Sequence, residues 1–124
     1  MAYQPAQHKT LFASAERTAT VNSNPVPVPW GTAAVKIRIN TSAVTDTPSV
    51  VFKVQGETPA GAWEDLLTSA AVTATGNRVL QVGRGLTASD NLVAVAPIPP
   101  RVRLRAEHGD TDKISYSAGI EFFG

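Results

Sequence analysis

The chain has no cysteine. Disulfides and cysteine-ligated zinc are therefore excluded, and 124 residues must fold on packing alone. Histidine is almost as scarce, with only His8 and His108. There is no G-x-S-x-G elbow, no cysteine nucleophile and no phosphate-binding G-x-x-x-x-G-K-[ST]; Gly83-Arg84-Gly85 is too short to count. Charge is thin as well. Only 17% of residues are charged and the net charge is +1, so no global field draws in nucleic acid or anionic lipid. No apolar run is long enough to span a bilayer. The first ten residues, MAYQPAQHKT, lack the apolar core of a secretory signal, and with no cysteine the expected setting is a reducing cytoplasm. Enzyme chemistry, a cofactor, a nucleic-acid partner and a membrane partner are all absent from the expectation.

What is present points to β-structure. Val, Thr, Ala and Ser dominate, and nine Pro and nine Gly punctuate the chain. β-branched residues fit a pleated, half-buried surface, and frequent breakers keep elements short. The length fits one domain that buries roughly two-thirds of its unfolded surface. Residues 1–12 are polar, carry Pro5 and read as an extended N-terminal arm. Residues 13–124 read as a single antiparallel β-sandwich of seven to eight short strands, jelly-roll or immunoglobulin-like.

The clearest stretch is Pro99 to Gly124, which reads as a hairpin. Val102, Leu104 and Ala106 alternate with Arg101, Arg103 and Arg105, and Ile114, Tyr116, Ala118, Ile120 and Phe122 share the apolar face of the second strand. Residues 107–112, EHGDTD, supply the turn. Upstream, Ala13–Val21 reads as a weak edge strand. Ala33–Asn40 and Ser49–Gln55 alternate cleanly. Trp63–Leu67 reads as a short strand or one helical turn, and Ala70–Thr75, Arg78–Val82 and Leu92–Ala96 as further strands. Between the first two strands, NSNPVPVPWG places Pro25, Pro27 and Pro29 at alternate positions, which excludes a helix or an interior strand. The expectation is a stiff, extended connector with Trp30 packed on the core; a ligand for a proline-reading module is the other reading.

Three clusters are candidates for chemistry. Glu107, His108, Asp110 and Asp112 could supply oxygen and imidazole ligands, but the spacing lacks a full calcium-loop pattern, and ordinary turn chemistry uses the same residues. Glu57, Glu64 and Asp65 could be paired carboxylates; turn and cap roles fit them better. Arg101, Arg103 and Arg105 stand on one face, about 7 Å apart. Such a row could track phosphates, yet no aromatic interleaves to stack bases. A solvated face paired across strands with residues such as Glu121, or an interface with an acidic protein, is the preferred reading.

The pattern of Ala13–Thr20 (ASAERTAT), Pro48–Gly56 (PSVVFKVQG), the Trp63-Glu64-Asp65-Leu66 segment and the terminal RVRLR and YSAG strands resembles a loose family of small structural proteins of tailed bacteriophages. The resemblance spans about Ala13 to Phe122, and the PVPVPW insert departs from it. It implies a β-sandwich without catalysis that decorates the outer surface of the major capsid protein's shell as a cement protein. It also implies a homo-oligomer, with a trimer at local threefold sites as one arrangement. The alternative it leaves open is a minor tail or baseplate component, or a module binding host carbohydrate. On this reading the candidate partner contacts are Arg101, Arg103, Arg105, Pro25, Pro27, Pro29 and Trp30.

Overall fold

A computed structural model describes residues 7–124, and within them ten strands and no helix. The strands are β1 (Gln7–Arg17), β2 (Val21–Asn22), β3 (Val26–Pro27), β4 (Ala34–Val44), β5 (Val50–Glu57), β6 (Trp63–Thr68), β7 (Gly76–Gly83), β8 (Val93–Val95), β9 (Arg101–His108) and β10 (Ile114–Phe123). One sheet runs β1-β10-β4-β7-β8. The other runs β2-β9-β5-β6, with β3 also on β9. The two sheets share one apolar core, consistent with a β-sandwich.

Alternation builds that core. Val35, Ile37 and Ile39 of β4, Leu80 and Val82 of β7 and Ile114, Tyr116 and Ile120 of β10 are buried from the first sheet. Val50, Phe52 and Val54 of β5 and Val102, Leu104 and Ala106 of β9 are buried from the second. Period-two burial on both layers is what a two-sheet core demands.

The terminal hairpin does not form. β9 and β10 have the apolar faces expected of them, but they lie in opposite sheets. β10 pairs with β1 and β4, and β9 with β5 and the β2/β3 edge. Residues 109–113 therefore cross between layers. They run beside residues 45–49, which make the same crossing from β4 to β5. Gly109 N–H donates to the Ser49 carbonyl at 2.9 Å and Thr45 N–H to the Lys113 carbonyl at 2.9 Å.

The N-terminal boundary also differs from expectation. Residues 1–6 of the expected arm lie outside the described residues. Residues 7–12 are the first half of β1, paired with β10 from Gln7 opposite Phe122 onward. Two bulges, between Thr10 and Phe12 and between Phe12 and Ala15, let consecutive Leu11 and Phe12 both turn inward. These bulges hide the strand's period from the sequence. The expected strand over 70–75 is a single bridge, Val72 to Val50, and β8 runs parallel to β7 rather than antiparallel.

The proline segment runs extended along the free edge of β9, as its composition predicts. Ser23 N–H donates to the Leu104 carbonyl and Val28 N–H to the Pro100 carbonyl, both at 2.8 Å. Val26 turns into the core while Pro25 and Pro27 face out, so the missing donors fall where no strand needs them. Two buried serines close gaps at the margins of this sheet. Ser23 Oγ accepts from Leu104 N–H at 2.8 Å, and Ser69 Oγ accepts from Phe52 N–H at 2.9 Å.

Candidate functional site

The outer face of the second sheet carries the arginine row. The β5–β9 register puts Arg103 opposite Gln55 and Arg105 opposite Lys53, and the β5–β6 register adds Asp65 and Trp63 beside them. Every arginine of the row has a partner. Arg101 pairs with Glu57 at 3.0 Å. Arg103 Nε donates to Gln55 Oε1 at 2.8 Å, and Gln55 Nε2 donates to Asp65 Oδ1 at 2.8 Å. Arg105 pairs with Glu107 at 3.2 Å and donates to Asn22 Oδ1 at 3.2 Å. Lys53 bridges Glu107 at 3.2 Å and Asp65 at 3.6 Å.

This lattice sets four cations against three carboxylates. Its electrostatics are self-contained. Hydrogen bonds from Arg105 and Lys53 lower the Glu107 pKa, and desolvation followed by the Arg105 charge lowers that of Arg103. The Arg103 guanidinium stacks 4.4 Å from the Trp63 ring centroid. A row neutralised in this way offers little field for tracking phosphates. Glu121, expected across from the row, lies in the other sheet and is ion-paired with Arg38. Glu57 and Asp65, expected in turn and cap roles, are strand residues of the lattice.

The acidic crossing loop is likewise committed to backbone N–H groups of the two crossings. Asp112 Oδ2 accepts from Thr47 N–H at 3.3 Å, and Asp110 Oδ1 accepts from Asp112 N–H at 3.0 Å. His108 turns away to meet the Tyr116 hydroxyl at 3.0 Å. No group of three or more His, Asp and Glu side chains that could hold a metal comes together among the described residues.

A groove of about 540 Å³ lies on the outer face of the first sheet, beside the β1 bulges. Thr10, Ser14, Arg38, Asn40, Asn77 and Ser117 line it. No carboxylate or imidazole lines it, so it brings together no general acid and base.

Trp30 overturns its sequence reading. It was expected on the core and is 97% exposed. Thr32 N–H and Oγ1–H both donate to the Pro29 carbonyl, at 3.2 and 2.7 Å, which closes a tight turn with Trp30 and Gly31 at its centre. Gly31 has φ +86°, as the third residue of a type II turn requires. A residue in the second position projects outward, and Pro29 before it stiffens the presentation. The Pro-Trp-Gly-Thr order was the available sequence signal for this exposure.

Compared with known proteins, the chain matches no family model and no curated sequence.

Proposed function

We propose that this protein is a structural component of a tailed-phage virion: a capsid decoration protein that docks on the outside of the major capsid shell as a homo-oligomer. The observation that carries this reading is Trp30, fully exposed on a proline-braced turn. Exposed tryptophans of this kind are a frequent source of binding energy in protein interfaces. Burying such a side chain removes about 200 Å² from water, worth on the order of 5 kcal/mol. The folded chain leaves that gain uncollected, and a partner pocket would collect it. Pro25, Pro27 and Pro29 limit the entropy lost on docking, because the segment is already ordered. The arginine lattice, on the outer face of the second sheet, is largely paired within itself and supplies no comparable anchor.

A ligand that binds the assembled shell and not its parts stabilises the shell by mass action. The test uses particles prepared without this protein. Adding the wild-type chain should raise the temperature of particle disruption, and Trp30→Ala should not. Unchanged particle stability with wild-type protein, and no density on the shell, would remove the proposal.

The carbohydrate-binding alternative is less well supported. Trp30 follows β3 and Trp63 opens β6, at opposite margins of the second sheet, so the pair makes no shared stacking platform.

A further inference from the structure

We infer that Trp30 is one end of a continuous docking surface completed by Phe123 and Val95, and that this surface takes a protein partner with an apolar pocket bordered by carboxylates. The inference rests on reading Trp30 as an anchor, and it adds the face and the chemistry of the partner.

The face follows from strand register. Phe123 lies opposite Ala34, Ala34 opposite Gly83, and Gly83 opposite Val95. Their adjacent residues Phe122, Val35, Val82 and Ala94 pack into the core. The Phe123-Ala34-Gly83-Val95 row therefore points outward across four strands, spanning about 14 Å at the usual strand spacing. Its two large members are exposed, Phe123 at 36% and Val95 at 52%. Between them Ala34 is half-buried and Gly83 is buried against the Ala33–Ala34 backbone, so the centre of the row is low and closed.

The Trp30 turn is fastened to the end of this row. Ala33 N–H donates to the Phe123 carbonyl at 2.7 Å, and a methyl group at Gly124 would touch the Gly31 carbonyl oxygen at 3.4 Å. Three of the four large, exposed apolar side chains among the described residues thus gather at one end of the first sheet. A soluble chain scatters such residues singly; gathering them marks a contact surface.

The rim selects the partner. Lys36 Nζ lies 5.6 Å from the Phe123 ring centroid. Arg84 leaves β7 beside the same row, its N–H bonded to the Ala33 carbonyl at 3.0 Å. Neither has a salt-bridge partner among the described residues, and residues 1–6 contain no Asp or Glu. Glu121 lies opposite Lys36 in register but is ion-paired with Arg38, which leaves Lys36 and Arg84 without a carboxylate in salt-bridge reach. A twofold contact between copies would set this cationic rim against an identical cationic rim, which disfavours self-association through this face. Two cations also fall short of the basic clusters that hold a chain to anionic lipid.

The test uses particles lacking this protein as the probe, with Phe123→Ser/Val95→Ser and Lys36→Glu/Arg84→Glu as paired variants. Cooperative thermal melts should show that the variants fold, the serine pair melting lower because Phe123 is only 36% exposed. The serine pair should weaken particle binding on the order of tenfold to a hundredfold. The glutamate pair should slow association about tenfold at low salt, with the gap closing as salt rises. A protein-alone arm isolates Trp30 in a Trp63→Phe background. Iodide should quench it more than caesium does, and Lys36→Glu/Arg84→Glu should remove that difference.

If Trp30→Ala loses binding while both pairs bind as wild type, the anchor reading stands and this surface falls. If Trp30→Ala also binds normally, both fall. Concentration-dependent dimers of the free chain that the serine pair abolishes would make a second copy the occupant and overturn the inference. So would tighter binding after deletion of residues 2–6, which would make the chain's own N-terminus the cover, or wild-type binding to anionic vesicles.

Discussion

His108 Nε2 and the Tyr116 hydroxyl meet at 3.0 Å across the space between the two sheets. One residue ends β9, the other lies near the start of β10, and the hydrogen bond ties the layers together where the chain crosses. Tyr116 is the hub of this end of the core. Its ring meets Phe12 of the first sheet edge-on at 5.7 Å and Phe52 of the second at 5.1 Å, and the Arg17 guanidinium lies 4.6 Å from its centroid. Burial raises the Tyr116 pKa to about 12 against the opposing pull of Arg17. Burial lowers the His108 pKa; Asp110 opposes the shift and Arg17 adds to it. Both rings are therefore neutral near pH 7, the state in which they share one proton.

Acid should loosen this junction through His108. Its folded pKa lies below the ordinary 6.5, so protons bind the unfolded chain more readily. The stabilising contribution is complete above that ordinary value and is lost as pH falls through the lowered folded one. Thermal melts should show a loss of stability as pH falls below about 6.5 that is shallower in His108→Gln. Equal slopes in the two proteins would refute the linkage.

Alkali acts on the partner with the opposite sign. The raised Tyr116 pKa means that hydroxide favours the unfolded chain from pH 10 upward, with stability lost as pH rises through about 12. In a Tyr3→Phe background, tyrosinate absorbance should be delayed until that range or until unfolding. Tyr116→Phe should flatten the alkaline loss of stability, at a cost of about 1 kcal/mol at neutral pH for the missing hydrogen bond.

The apolar faces of β9 and β10 were legible in the sequence because side-chain alternation reports which side is buried. It does not report which sheet. A polar crossing between layers and a hairpin turn draw on the same Gly and Asp chemistry, so residues 107–112 fit both. The neighbour that decides the matter, the 45–49 crossing, is some sixty residues away in sequence. The site was half legible. Arg101, Arg103 and Arg105 were placed correctly on one face, but their partners Glu57, Gln55 and Asn22 come from strands whose register no local pattern fixes. The exposure of Trp30 was masked by composition, since apolar side chains are assigned to cores by default, while Phe123 and Val95 join it only through pairing across four strands.

Arg17 should prove to be the residue that keeps bulged β1 on the sheet. One guanidinium nitrogen donates to the Tyr116 carbonyl at 2.8 Å, and the other to the Ala13 carbonyl at 2.8 Å. The same group lies 5.0 Å from the Phe12 ring centroid. A lysine carries the charge but lacks the planar fork that makes these contacts together. Arg17→Lys should cost about 1–2 kcal/mol. Hydrogen exchange should accelerate in β1 more than in β4 or β5. Uniform acceleration across all strands would show that Arg17 does not act locally.

Three glycines give a graded test of the packing. A methyl group at Gly83 would stand 2.6 Å from the Ala33 carbonyl oxygen and 2.5 Å from Ala34 Cβ. Ala34 opens β4 opposite Gly83 and the Ala33 carbonyl accepts from Arg84 N–H, so neither can yield without breaking the ladder. At Gly56 the methyl group would overlap Pro99 Cγ and stand 3.1 Å from Leu66 Cδ1. Pro99 sits in a connecting segment, which can shift. At Gly119 it would meet only the Lys9 carbonyl oxygen at 3.5 Å, an ordinary contact. Gly83→Ala should therefore cost about 2–3 kcal/mol and Gly56→Ala about 1 kcal/mol, both by overpacking. Gly119→Ala should be neutral or gain about 0.5 kcal/mol by restricting the unfolded chain. Denaturant melts of the three variants decide the order. If Gly119→Ala is the most damaging, the outer face of β10 is packed against something other than solvent. If Gly83→Ala is harmless, β4 and β7 do not pair in the register that sets Ala34 opposite Gly83.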